Sequence, residues 1–321
     1  MAHSIQKAND NFRKAREGAF YGVSAYLIWG LFPLYFKLVA HIPPLEIVAH
    51  RVIWSVLLII IIVSGTSQWK SVKLAISQPG TLIILSVSSI LITLNWFVFM
   101  YAVSHNQLTQ SSIGYFINPL ISMALGFLFL RERMTKWQKV SFVIAAIGIL
   151  YYTIQFNQIP WISLLLASTF SFYGLIRKTA NVKSLPGLTI ETFLIGPFAL
   201  GYLIYLKYIG DGAFLNSSIR SGLLLPISGI LTAAPLALFT IAARRLQLIT
   251  VAFLQFITPS LHFFLAVFIY NEPLSYTHLF SFILIWIGLV IYSFEAIRHS
   301  SNLAKDVIHT YVARKKEQKI Q

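Results

Sequence analysis

The chain has 321 residues, 57% of them hydrophobic and only 11% charged, and its mean hydropathy is +0.72. Such a composition leaves far too little polar surface to coat a water-soluble globule and points to an integral membrane protein. Cysteine is absent, which excludes disulfides, thiolate metal sites and cysteine nucleophiles, and the meaning of the +15 net charge depends on where the cations lie.

About 20 apolar residues cross a hydrocarbon core of ~30 Å. Ten such runs follow one another at 18–40, 45–64, 81–103, 111–130, 138–155, 160–178, 188–207, 222–242, 249–270 and 276–296. They predict an all-α membrane protein of ten transmembrane helices. Residues 1–17 are polar and basic, but the run behind them is full length, contains Pro33 and lacks a small-x-small cleavage pattern. It is read as a retained first span behind a cytoplasmic segment, not a signal peptide.

Span 1 carries GAFYG (18–22), a small-xxx-small pattern for close helix contact, and LIWGLFP (27–33), where Trp29 either walls a cavity or fills the space beside Gly30. Span 2 opens on PPLEIVAHR (43–51). Pro43 and Pro44 suit a helix start, and Glu46 in the first turn complements the helix dipole. Glu46 and His50, four apart, share a face, whereas Arg51 is turned away and needs a partner elsewhere. Roughly 10 Å into the span at helical rise, Arg51 is expensive against lipid. It is expected either to tie down a neighbouring span or snorkel, or to serve gating or anion binding. Asn95 and Trp96 in span 3 are read as an interhelical amide and a belt aromatic, or as neighbours of a solute path. They fall opposite Pro235 of span 8, which is expected to break its helix.

Span 4 contains GYFINPL (114–120), with Tyr115, Asn118 and Pro119; span 9 contains LQFITPSLHFF (254–264), with Gln255, Thr258, Pro259 and His262. Each proline lacks an N–H, frees the carbonyl four residues earlier, on Tyr115 and Gln255, and is expected to bend its helix. Either these are kinks packed against neighbours, or the two motifs line a path near mid-membrane. Hydroxyls of STFSFYG (168–174) in span 6 are expected to bond back to their own helix.

A shift of 140 residues lays the segment from Gln107 over that from Gln247 without a gap. It pairs Phe116 with Phe256, Pro119 with Pro259, Glu132 with Glu272, Ser141 with Ser281, Gly148 with Gly288 and Tyr152 with Tyr292. The chain is thus divided into a first repeat at 18–155 and a second at 156–298, followed by a basic tail at 299–321. Five spans per half is an odd number, so the halves are expected to be inverted repeats around a central cavity, as in secondary transporters.

With the N-terminus in the cytoplasm, all but four of the 25 Lys and Arg residues fall on the cytoplasmic side; Lys37, Lys207 and Arg220 lie outside and Arg51 within the membrane. The positive-inside rule then puts both termini in the cytoplasm, with Arg177 counted among the cytoplasmic cations. The tail, with RKKEQK at 314–319, is read as an anchor to anionic lipid headgroups and not as a nucleic-acid site. No phosphate-binding GxxxxGK[ST], HExxH or GxSxG occurs, so neither ATP, an enzyme activity nor a cofactor is expected. Glu46 and Glu191 stand near span ends, and no buried carboxylate is expected as a proton relay.

Together, WGLFPLYFK, EIVAHRVIWS, GYFINPL, LRERMT, LQFITPSLHFFLAVFIYNEPLS and FILIWIGLVIYSFEA resemble the RarD subfamily of the EamA-type drug/metabolite transporters, from about residue 18 to residue 298. The resemblance implies a multi-pass protein of the bacterial inner membrane that moves small molecules, usually outward, with spans 1, 3, 4, 6, 8 and 9 as cavity walls. The resulting expectation is a non-ATP carrier for small amphipathic or zwitterionic metabolites or drugs, working by alternating access. Its path would run past Tyr115, Asn118, Pro119, Gln255, Thr258, Pro259 and His262, near Trp29, Asn95 and Trp96. A passive channel, a lipid-translocating protein or a non-transporting scaffold remains the alternative.

Overall fold

The computed structural model describes residues 2–39, 41–104, 108–155, 161–216, 219–269, 276, 279–295 and 298. The tail at 299–321 and Glu272 lie outside them. Among the described residues the chain is helical, with no strand.

Helix α1 (Ala2–Gly30) runs unbroken from the polar N-terminal segment into the first apolar run, and α2 (Phe32–Leu38) restarts after Leu31. Pro33 in the first turn of α2 explains the restart: it cannot donate to the Trp29 carbonyl, so the α1 ladder ends there. Then come α3 (Pro44–Gly65), α4 (Trp69–Ile76), α5 (Pro79–Ser104), α6 (Leu108–Leu130) and α7 (Lys136–Ile154). Thr135 and Gln138 form a reciprocal capping box at the start of α7. The second half holds α8 (Trp161–Thr179), α9 (Ser184–Ile209), the short α10 (Ala213–Asn216), α11 (Ile219–Arg245), α12 (Leu248–Gln255), α13 (Ile257–Phe264) with a π turn at Leu265–Ile269, and α14 (Leu279–Glu295). Among the described residues, seven helical stretches are long and apolar enough to cross a membrane, and Gly114–Leu130 and Leu279–Glu295 form shorter apolar helices.

Apolar side chains face outward and polar ones inward. Phe198, Ile61, Phe268 and Val290 are exposed, while Ser88, Ser163, Thr189 and Ser228 are completely buried. This inside-out order is what a hydrocarbon surround demands. Helix α11 packs against α1 and α3, α3 also against α9, and α8 lies between α5 and α6. At the α3–α11 crossing the backbones nearly touch. A Cβ placed on Gly229 would fall 2.5 Å from the Trp54 carbonyl carbon, and the Ser55 hydroxyl donates to the Gly229 carbonyl at 3.1 Å. Reciprocity marks the contact between α7 and α14: Gly148 faces the Ser281 carbonyl and Gly288 faces the Ser141 carbonyl, at 3.0 and 2.9 Å from their would-be Cβ atoms.

The prolines behave less uniformly than expected. Pro259 does accompany a break, but the chain turns at Phe256, where α12 gives way to α13 and Phe256 N–H bonds the Phe253 carbonyl at 3.2 Å. Pro119 and Pro235 interrupt nothing, for α6 and α11 run continuously past them. Tertiary packing along these helices overrides one missing hydrogen bond, as transmembrane helices allow. Arg177, counted among the cytoplasmic cations, is fully buried in the last turn of α8, where its Nη2 donates to the Ser184 carbonyl at 2.8 Å.

Gly229→Ala should force α3 away from α11. A loss of about 1–3 kcal/mol is expected from the overpacking, read as a lower melting temperature of the purified protein in detergent.

Candidate functional site

Arg51 occupies the junction of α2, α3, α5 and α11. It is 8% exposed, its Nε donates to Thr232 Oγ1 at 2.8 Å, and its guanidinium lies 5.6, 5.8 and 5.6 Å from the ring centres of Phe32, Phe36 and Trp96. Its partner across the bundle is thus a hydroxyl backed by aromatic faces, and those faces stabilise a cation while keeping water off it. Among the described residues no carboxylate pairs with it. Neighbouring aromatic groups continue the wall: Phe36 contacts Phe99, Phe99 contacts Tyr115, and the Tyr115 ring stands edge-on to His262 at 5.8 Å. All of these rings are half-buried.

Beyond them a second aromatic group is sealed. Trp29 contacts Tyr26, Phe170 and Phe239 at centroid distances of 5.5 to 5.8 Å, and Tyr173 stacks on Phe239. Tyr26, Tyr173 and Phe239 are 2% exposed or less, so helices α1, α8 and α11 close on one another here. The Gln255 amide is buried beside the Tyr26 hydroxyl.

The remaining expected site residues bridge helices. Asn118 Oδ1 accepts from Ser171 at 2.7 Å and Ser122 at 3.3 Å, and Ser171 also reaches the Asn118 carbonyl, so α6 is fastened to α8. Ser171 therefore does not bond back to its own helix. Asn95 Nδ2 donates to the Leu166 carbonyl at 2.8 Å and Thr169 Oγ1 at 2.9 Å, linking α5 to α8. Thr258 Oγ1 donates to the Tyr26 carbonyl at 2.9 Å. His262 Nε2 lies 3.2 Å from the Trp29 carbonyl, the one that Pro33 leaves without its helical donor. An imidazole N–H at Nε2 fills that vacancy, which fixes the tautomer. Pro119 and Pro259 sit buried beside Asn118 and Thr258.

Glu46 and His50 share a face as the spacing predicts, with Nε2 and Oε1 3.8 Å apart, and are separate from Arg51. Glu46 also accepts from the Ala213 and Phe214 N–H groups at 2.6 and 3.2 Å, pinning the loop before α11 onto α3. At the opposite end Glu132 does the same for α12, accepting from the Leu248 and Ile249 N–H groups at 2.7 and 3.0 Å, with Lys178 3.6 Å away.

One cluster has no counterpart in the sequence reading. Glu191 on α9 is 1% exposed and accepts from the Ser88 hydroxyl and, at 3.4 Å, from the Tyr173 hydroxyl; Arg177 Nε lies 3.7 Å away. Gly187 leaves room for the guanidinium, since a Cβ there would fall 2.1 Å from Nη1. A buried carboxylate does stand out after all. Its signal was a Glu close to the start of a span, but a cation near a span end reads as cytoplasmic by composition alone, which hid the partner Arg177.

The profile of the EamA-like transporter family matches residues 16–154. "Uncharacterized transporter YojE" of Bacillus subtilis is 40% identical over 288 residues, 89% of this chain and 96% of its own length. Protein RarD of Escherichia coli is 39% identical over 285 residues, again 89% and 96%. "Chloramphenicol-sensitive protein RarD" of Pseudomonas aeruginosa is 26% identical over 290 residues, covering 89% of this chain and 96% of that one. A crystal structure at 14% identity shares the fold with a TM-score of 0.65, covering 86% of this chain and 97% of the other.

Glu191→Gln leaves the Arg177 charge buried without a counter-charge, and a destabilisation of about 3–5 kcal/mol is expected. Arg177→Met combined with Glu191→Leu should recover most of it. Thermal unfolding of the single and double variants in detergent measures the difference.

Proposed function

Because the chain belongs to the EamA-like transporter family, in its RarD subfamily, and is a multi-pass membrane transporter, we infer that it is a secondary carrier. It exports small amphipathic or zwitterionic metabolites or drugs across the bacterial inner membrane by alternating access. The observation that carries this reading is the two-tier aromatic interior. Half-buried rings of Phe36, Trp96, Phe99 and Tyr115 surround Arg51 at one level, and the sealed Tyr26, Tyr173 and Phe239 lie at the next. An interior closed more tightly at one level than at the next supports a carrier, which holds its site shut to one side at a time. Aromatic walls with sparse hydrogen-bonding groups suit solutes with an apolar body and one or two polar ends.

The inverted relation of two five-span halves is supported by the reciprocal contact of Gly148 with Ser281 and Gly288 with Ser141, since residue i meeting j′ while i′ meets j is the mark of a two-fold axis. The charge distribution supports cytoplasmic termini. Within this reading Gln255, buried beside Tyr26, contacts the solute in the state in which the sealed level opens, while Tyr115, Trp29, Trp96 and His262 form the walls. Asn118, Asn95 and Thr258 hold the walls in register, with Pro119 and Pro259 beside them.

Counterflow in proteoliposomes tests this, screened over amino acids and amphenicols. Saturable uptake stimulated by solute on the far side is expected; linear, unstimulated flux would identify a channel and none at all a scaffold. Gln255→Ala should lower kcat/KM about tenfold, the loss of one hydrogen bond of roughly 1.4 kcal/mol, without lowering thermal stability. Asn118→Ala should lower both.

A further inference from the structure

The Arg51 environment carries more than a position on a wall. Burying a guanidinium without a counter-anion is costly, and bundles that do so normally supply a carboxylate partner. Here the described residues supply a hydroxyl, through Thr232, and the faces of Phe32, Phe36 and Trp96. Thr232 engages only Nε, so the orientation of the guanidinium is fixed while the edge formed by its two Nη groups is left for another ligand. The Tyr115 hydroxyl is within electrostatic reach of the cation and can donate to an anion beside it, whereas the Tyr35 hydroxyl already donates to the Leu224 carbonyl at 3.4 Å. A planar fork with two parallel N–H donors matches a carboxylate bidentately.

We propose that Arg51 is the docking residue for the carboxylate of the transported solute, so that the substrate class is small organic acids and amino acids with an aromatic or branched apolar body. Resting on the carrier reading above, this narrows it: the polar end facing Arg51 is anionic, and the apolar body lies against the Trp96 and Phe36 rings. The charge is complementary to a site that otherwise lacks one, and the flanking rings exclude compact, strongly hydrated anions.

The test uses phenylacetate and its neutral isostere phenylacetamide. Binding to the purified full-length protein in nanodiscs is measured by calorimetry, separately from counterflow of the same two compounds. Wild type should bind phenylacetate at least about tenfold more tightly than phenylacetamide, the difference expected of a charge-assisted bidentate contact. Arg51→Gln should reduce that ratio to near one, Arg51→Lys should restore part of it, and Thr232→Val, which only frees Nε, should reduce it less than Arg51→Gln. If Arg51→Gln does not fold, the lysine and valine variants carry the comparison. Equal affinity for acid and amide in wild type, or a ratio unchanged in the folded Arg51 and Thr232 variants, overturns the proposal. Counterflow decides the carrier reading independently: saturable exchange of phenylacetamide with no preference for the acid would keep the carrier and discard the carboxylate site, and acid-selective binding without exchange would do the reverse.

Discussion

A chain this apolar has one overriding obligation: every polar group that leaves water must find its partner within the protein. Hydrocarbon offers none, and each unpaired group costs several kcal/mol, as an order of magnitude. The interior of the bundle is organised by that requirement. Asn118 with Ser171, Asn95 with Thr169, Ser55 with Gly229 and Thr258 with Tyr26 each join two helices, and each lies where an apolar pair would have packed equally well but without a fixed register. Hydrogen bonds thus set the alignment of helices whose greasy surfaces would otherwise slide.

Charge follows the same logic with larger stakes. Three carboxylates are used as caps or counter-ions inside the fold: Glu46 on the Ala213 and Phe214 amides, Glu132 on the Leu248 and Ile249 amides, and Glu191 beside Arg177. Glu46 and Glu132 sit at helix starts, where the aligned amides favour an anion. Against this background of paired charges Arg51 stands apart, held by a hydroxyl and aromatic faces in place of a carboxylate.

Most of the helical layout could be read from the sequence, because runs of apolar residues have few alternatives in a membrane. Each of the ten runs falls on helix among the described residues. The separation of Arg51 from the Glu46–His50 face was also legible, since it depends only on helical geometry. What failed was anything that depends on which neighbour arrives. Pro235 has the same local chemistry as Pro259, yet α11 runs on past it while the chain is interrupted near Pro259, because continuity is decided by packing along the whole helix. Arg177 reads as a surface cation until α9 folds over it and Gly187 makes the space. Pro33 served only to argue against a cleaved leader, and its effect on the Trp29 carbonyl required knowing that His262 would be opposite.

That last contact has a mechanical meaning. The α1–α2 joint at Leu31 and the α12–α13 joint at Phe256 each interrupt an apolar run of spanning length. His262, on the far side of the second joint, holds the carbonyl released at the first. One hydrogen bond thus staples the two joints to each other, and a movement at either would load the same imidazole.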